Sequence, residues 1–200
     1  MPSVVQTKEV REAILDATDR LLSSYGYKKM TIDDLAREVG IGKGSVYLHF
    51  ASKEEIALSH IDRIVERVKT ELNAIAETDF SPIEKIKLMI AARVLMRFDS
   101  VQHYTLNLND LLADLRPKLL ARRKKYFAEE AAIFVKVVEQ GQATGKFKAS
   151  DAGEIVETIL LATNSLLPFS LTARELGERA EIEEKTTRLA NLLLEGLAET

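Results

Sequence analysis

Apolar residues recur at helical spacing along most of the chain. Near the N terminus, Ile14, Ala17 and Leu21 lie three or four positions apart, and the pattern stops at Gly26. Glycine adopts the left-handed conformation that often ends a helix, so Gly26 is expected to cap this one. Only 9 glycines and 4 prolines interrupt the 200 residues, so the segments between them are long, as in helices. The pattern predicts an all-α fold.

Capping boxes mark the predicted starts of three further helices. In each, a hydroxyl residue precedes an acidic residue by three positions: Thr31 and Asp34, Ser52 and Glu55, Ser81 and Glu84. The helix after Thr31 is halted by Gly40 after about two turns, and another short helix fits between Gly42 and Ser52. Helices this short are not stable alone, so both are predicted to pack on the first helix as a three-helix unit.

The turn between the two short helices has a recognisable spacing. Ala36, Gly40 and Val46 follow the pattern Ala-x3-Gly-x5-Val. A small residue lets two helices cross closely, a glycine allows a turn with positive φ, and a branched apolar residue fills the angle between the helices. The spacing predicts a helix-turn-helix.

Residues 30–55 closely resemble the DNA-binding signature of TetR-family transcriptional regulators. The groups Tyr47-x-His49-Phe50 and Ser52-Lys53-Glu54 are especially similar to it, and the close match covers roughly residues 8–60. The resemblance implies an N-terminal three-helix, homeodomain-like helix-turn-helix unit followed by a C-terminal helical ligand-binding and dimerisation domain. We place the DNA-binding domain at 1–52 and the effector-binding and dimerisation domain at 53–200.

The second short helix carries the candidates for reading DNA. A helix that enters a major groove about 12 Å wide must be slim and must offer donors and acceptors to base edges. Gly44 keeps its leading end slim, and Lys43 can reach a guanine edge or a phosphate. Ser45 can serve either partner, while Tyr47 offers a ring and a hydroxyl.

Other residues of the signature are assigned through the resemblance. It implies that Thr31 caps the first short helix and offers its hydroxyl to the DNA backbone, while His49 and Lys53 grip phosphates at the edge of the groove. Lys28 adds charge in the preceding loop and would act through counterion release. Taken singly, such residues are more often solvated, capping or packing residues, and the complete signature favours DNA contact.

The rest of the chain predicts a helical body. One helix runs from Ser52 to about Ala76, and the next, after Ser81, is apolar nearly all round and therefore buried on most faces. Arg116-Pro117 is predicted to open a long helix that ends near Gly145. The neighbouring acids Glu129 and Glu130 point to different sides of that helix and are interpreted as solvated.

The body also supplies candidates for a small-molecule site. Ten residues suggest a largely apolar effector, although core packing explains each of them as well: Met89, Met96, Phe98, His103, Tyr104, Asn107, Phe127, Phe134, Asn164 and Phe169. A ligand between the helices of residues 83–170 would shift the Ser52 to Ala76 helix and change the separation of two reading heads. It does so only if it binds the two arrangements unequally.

The predicted function is sequence-specific DNA binding. By resemblance, the chain is a repressor that binds a palindromic operator as a homodimer, pairs through its two C-terminal helices and is released by an effector. Periodicity alone leaves open that the apolar stripes of both helices are satisfied within one subunit. The alternatives are a helical enzyme with dispersed catalytic groups and a small-molecule carrier with a non-functional DNA-binding unit.

Composition removes several other classes. The chain has no cysteine, so disulfides, thiolate metal sites and cysteine nucleophiles are excluded. No histidine spacing favours a metal, no cofactor is expected, and Gly44 separates Lys43 from Ser45, which breaks a phosphate-loop motif. Residues 1–53 carry a net charge of +1 and the remainder −4. The longest uncharged stretch, 158–173, is shorter than the roughly 20 residues of a membrane helix. The protein is expected in the cytoplasm.

Overall fold

The structure, a computed structural model, describes residues 4–102, 108–168 and 177–197 of the chain. These ranges contain eight helices: α1 (Val4–Lys29), α2 (Ile32–Val39), α3 (Lys43–His49), α4 (Lys53–Ala76), α5 (Pro82–Val101), α6 (Leu108–Ala143), α7 (Ala152–Asn164) and α8 (Arg179–Leu197). The prediction of an all-α fold is confirmed. None of the helices in the described ranges is both long and apolar enough to cross a membrane.

The chain divides into two compact units. Unit 1 draws on Met1–Ile64 and His103–Leu119, and unit 2 draws on Val65–Gln102 and Leu120–Thr200. In unit 1, α1 packs against α2 and α3, and these two pack on each other. The core of this three-helix arrangement is formed by fully buried apolar side chains: Ile14, Leu15, Ala17, Leu35, Val46. The predicted three-helix unit is confirmed.

Two glycines shape the chain around α2. Gly40 is the C-cap of α2 with φ 75° and ψ 31°, the left-handed conformation that its position in the helix-turn-helix required. Gly26 also has a positive φ of 76°, but its ψ is 169° and helical structure resumes after it as far as Lys29. The predicted end of the first helix at Gly26 is confirmed, although its ψ is not that of the left-handed helical conformation expected of a cap, and a separate helical turn follows as far as Lys29.

The predicted start of α6 at Arg116-Pro117 is wrong. The helix begins at Leu108 and continues for 36 residues, so Pro117 lies inside it. Proline lacks a backbone N–H and removes one hydrogen bond from a helix interior, which makes it resemble a helix start in a sequence. Here the helix continues through this lost bond.

Unit 2 has a single large apolar core. It is built from the second half of α4, from α5, α6, α7 and α8, and from Phe147 in the turn after α6. Helix α8 packs against α5 and α7. Ser81 and Glu84 form the predicted capping box, with Pro82 as the first residue of α5. Asp151 caps α7 by accepting a hydrogen bond from the Glu154 amide at 3.0 Å.

One glycine of unit 2 is required by packing and provides a test of this core. A Cβ added at Gly141 would lie 2.1 Å from Cδ2 of the buried Phe147 ring. We therefore expect Gly141→Ala to lower the free energy of unfolding by about 1–3 kcal/mol, because the ring must move within a filled core. Urea denaturation measures the change. Gly196→Ala in α8 is the control, since its Cβ would meet nothing within 4 Å, and equal stability of the two variants would contradict the packing at Gly141.

Candidate nucleic-acid interface

Helix α2 is fixed at its first turn by a complete capping box. The Thr31 hydroxyl accepts from the Asp34 amide at 3.1 Å and donates to the Asp34 carboxylate at 2.6 Å. The carboxylate also accepts from the Thr31 amide at 3.2 Å. These hydrogen bonds, the hydroxyl's foremost, hold the pKa of Asp34 below its ordinary value. The prediction that Thr31 caps the first short helix is confirmed.

Helix α3 presents one face to solvent and buries the other. Val46 is completely buried, whereas Tyr47 is 49% exposed and Leu48 is 84% exposed. Gly42 is the N-cap of the helix, and added Cβ atoms at Gly42 or Gly44 would meet nothing within 4 Å. The leading end of α3 is therefore both slim and open.

Lys43 begins α3 and is linked back to α2. Its ammonium donates to Asp33 Oδ2 at 2.8 Å, and both side chains are about half exposed. The hydrogen bond from its ammonium to the Asp33 carboxylate raises the pKa of Lys43 above its ordinary value. The pair joins the two short helices across the turn and leaves the ammonium at the surface.

The remaining predicted DNA-contacting residues lie in several settings. Ser45 and His49 are half-buried, and Lys28 is exposed in the last turn of α1. Lys53, the first residue of α4, donates to the Tyr27 carbonyl at 3.0 Å and lies 4.5 Å from the centroid of the Tyr27 ring. That ring is buried, and desolvation raises the pKa of its hydroxyl.

Most of the candidate effector residues belong to the packed interior of unit 2. Met89, Phe98 and Phe134 are buried, and Met96 and Phe127 are partly buried against the same core. Asn164 is also buried, and its side chain takes part in a polar cluster. Four candidates lie outside the described residues: His103, Tyr104, Asn107 and Phe169.

This polar cluster joins three helices in the interior of unit 2. Arg93 Nε donates to Glu130 Oε2 at 2.7 Å, and its two terminal nitrogens donate to Thr163 Oγ1 and Asn164 Oδ1, each at 2.8 Å. Arg97 donates to the other carboxylate oxygen of Glu130 and to the Arg93 carbonyl, the latter at 2.9 Å. All five side chains are buried. The arrangement connects α5 to α6 and α7.

Comparison with known proteins places the helix-turn-helix in a family. A model for bacterial regulatory proteins of the tetR family matches residues 14–59, which include all of α2 and α3. Its helix-turn-helix segment is a TetR-family domain. An uncharacterized HTH-type transcriptional regulator in the lacX 3′ region of Lactococcus lactis subsp. lactis is 38% identical over 88 residues. That match covers 44% of this chain and 45% of the relative, less than half of the relative's length.

Solved structures resemble the whole chain. A transcriptional regulator from Cytophaga hutchinsonii has a TM-score of 0.80 at 21% identity, covering 94% of this chain and 98% of its own. A transcriptional regulator of the TetR/AcrR family from Thermobifida fusca has a TM-score of 0.69 at 25% identity, with coverage of 94% and 98%. The fold of these regulators therefore extends over both units.

The buried cluster of unit 2 was not predicted from the sequence. The interpretation of Glu130 as solvated is wrong, because Glu130 is buried and accepts hydrogen bonds from both arginines. Its neighbour Glu129 does lie near the surface and pairs with Lys69 and Lys125. One signal was available: Arg93 and Arg97 lie four positions apart on a helix that is otherwise apolar nearly all round.

The capping box at the start of α2 can be tested by removing the Thr31 hydroxyl. Thr31→Val keeps the shape of the side chain but removes both hydroxyl hydrogen bonds. We expect faster amide exchange at Asp34, a rise in the pKa of Asp34 towards its ordinary value and a lower unfolding temperature. NMR titration and hydrogen exchange measure these changes. Because folding lowers the pKa of Asp34, the ionised Asp34 stabilises the folded protein above its ordinary pKa. This stabilisation is lost as the pH falls through the pKa of Asp34 in the folded protein.

Thr31→Ser is the matched control, since a serine hydroxyl can form the same pair of hydrogen bonds. Unchanged exchange at Asp34 in Thr31→Val would contradict the capping box.

Proposed function

We propose that this chain is a sequence-specific transcriptional regulator, a repressor that binds a palindromic operator as a homodimer in the cytoplasm and is not an enzyme. Residues 1–52 serve as the DNA-binding domain, and residues 53–200 bind an effector and a second subunit. The observation that carries the proposal is the outward face of α3, where Lys43, Gly44 and Tyr47 are exposed while Val46 is buried.

The dimensions of α3 support insertion into a groove. Its seven residues give a rod about 10 Å long at 1.5 Å per residue, next to a major groove about 12 Å wide. The open space around Gly42 and Gly44 lets base edges approach the backbone. On this proposal Lys43, Ser45 and Tyr47 read bases, while Thr31, His49, Lys53 and Lys28 contact the phosphate backbone.

Asp33 adjusts the charge of this face before DNA binds. In the free protein its carboxylate neutralises the Lys43 ammonium, and DNA must replace that partner. Because the pair is exposed, its contribution to stability is small, and its main effect falls on DNA binding. Removing the Lys43 ammonium should therefore weaken operator binding, and removing the Asp33 charge should strengthen it. Neither change should unfold the protein.

The proposed reading face is tested with operator DNA selected from the organism's own genome. Lys43→Ala and Tyr47→Ala are expected to abolish the operator shift, because each removes a side chain that reads bases. Asp33→Asn is expected to bind more tightly. Fluorescence anisotropy at several salt concentrations measures all three.

The control is Lys125→Ala, which removes another exposed lysine that pairs with a carboxylate, Glu129 on α6. Circular dichroism and sedimentation establish that each variant is folded and assembled as the parent is. Parent-like operator binding by both Lys43→Ala and Tyr47→Ala would overturn the proposed reading face, and salt-independent binding of the parent would overturn the regulator.

Dimerisation follows from the shortness of α3. One such helix covers few base pairs, so tight binding needs two copies at half-sites about 34 Å apart. We propose that α7 and α8 form the contact between subunits. Leu161 on α7 is 56% exposed and Leu192 on α8 is 67% exposed, although other leucines of both helices are buried in the core of unit 2.

A charge on this surface should separate the subunits. We expect Leu161→Glu and Leu192→Glu each to convert the dimer to monomers at micromolar concentration, because burying an unpaired carboxylate against a partner is costly. Analytical ultracentrifugation measures the change. Phe80→Glu is the control, since Phe80 is similarly exposed but lies outside α7 and α8. An unchanged dimer in both leucine variants would exclude this surface.

A further inference from the structure

We propose that the buried arginines of unit 2 form the binding site for an amphipathic carboxylic acid, whose carboxylate pairs with Arg97. The inference deepens the proposed regulator, because it assigns a chemical class to the effector. The sequence suggested a largely apolar effector, and the cluster of Arg93, Arg97 and Glu130 adds a requirement for negative charge.

The charge balance of the cluster is the first observation. Two guanidinium groups share one carboxylate, so the three side chains carry a net charge of +1 in the interior. Burial lowers the pKa of Arg93 to about 10 despite the attraction of Glu130, and Arg97 and Arg123 lower it further. A buried cation without its own counter-ion is costly. A bound anion would remove this cost.

Two other cations that are largely shielded from solvent, Arg63 and Lys69, differ from the buried arginines in the number of carboxylates they contact. The side chain of Arg63 is 13% exposed and pairs with both Glu12 and Asp16. That of Lys69 is 15% exposed and pairs with both Glu66 and Glu129. These more exposed cations each have two carboxylates, whereas within the part of the chain that the structure describes the more deeply buried arginines have one between them.

The nearest acid in sequence, Asp99, does not supply the missing negative charge. Asp99 follows Arg97 by two positions, but its carboxylate accepts from Arg179 Nε at 2.9 Å.

Lys85 is a buried cation that donates to the Ala76 carbonyl, at the C-terminal end of α4, where the helix dipole is negative. The carbonyl that accepts from Arg97 belongs to Arg93, in the interior of α5, and offers no such helix terminus.

Arg97 also has donor capacity left and is the more accessible arginine. A guanidinium has five N–H groups, and among the described residues Arg97 has two acceptors, so its Nε–H has none. Its side chain is 8% exposed, compared with 3% for Arg93 and 2% for Glu130. The planar fork of a guanidinium matches a carboxylate.

The surroundings indicate the rest of the ligand. Phe127 lies three positions before Glu130 on α6, so the two side chains share one face of that helix. Phe127 is only partly buried and packs against the apolar core. An aliphatic chain attached to the carboxylate can lie against this ring, which defines the ligand as an acid with an apolar body.

The experiment compares three probes of equal chain length on the full protein without DNA: decanoate, 1-decanol and decyltrimethylammonium. Isothermal titration calorimetry at low salt is expected to show decanoate binding at least tenfold more tightly than decanol, since the hydrogen bonds to a carboxylate are charge-assisted. The cationic probe is expected not to bind. Equal binding of decanoate and decanol, or no binding of decanoate, would overturn the proposal.

Two variants test the role of the cluster. Arg97→Met should remove the preference for decanoate over decanol, while Arg188→Met, which removes an exposed arginine of α8, should keep it. Glu130→Gln should increase the preference by leaving both arginines without their carboxylate. A purely structural cluster predicts no such gain, so an unchanged or reduced preference in folded Glu130→Gln counts against the site. The comparison of probes on the parent protein decides the outcome if either variant fails to fold.

Operator release is measured separately, by adding decanoate to the complex with DNA. Carboxylate binding without release would leave the anion site standing and count against the regulatory coupling. If the protein prefers decanoate to decanol but does not bind operator DNA, the proposed regulator function is contradicted and the anion site is not.

Discussion

The packing of α3 on α1 and α2, with Val46 completely buried, determines the position of α3. A helix of seven residues is not stable by itself, so α3 depends on the apolar contact that its inner face makes with its neighbours. Gly40 turns the chain between α2 and α3, and the Thr31 box fixes the start of α2. The same contact turns Lys43 and Tyr47 outward. The core of unit 1 and its candidate DNA surface are therefore two faces of one helix.

The features predicted correctly from the sequence are those with local causes. A hydroxyl residue three positions before an acid forms a capping box with atoms of a single turn, which is why Thr31 and Ser81 were identified. Glycine is required at position 40 because the backbone there has a positive φ. The start of α6 was misplaced because proline usually stands at the beginning of a helix, and here the helix continues through Pro117.

The buried cluster has no local cause and could not be predicted in the same way. Glu129 and Glu130 are adjacent acids on one helix, yet one pairs with surface lysines and the other is buried. Their difference is set by Arg93, 37 positions from Glu130 in sequence, and by the packing of α5 on α6. Periodicity identifies which face of a helix is apolar, but it does not show which charge will find a partner inside.

On the proposal that an anion binds Arg97, the cluster also links ligand binding to the packing of the helices. A ligand changes an equilibrium only when it binds two arrangements unequally. Arg97 and Arg93 hold α5 to α6 through a shared carboxylate, and Arg93 holds α5 to α7 through Thr163 and Asn164. An anion that takes donors from Arg97 competes with Glu130 for the same guanidinium. Its affinity therefore depends on how tightly α5 and α6 are joined, and by linkage its binding changes how tightly they are joined.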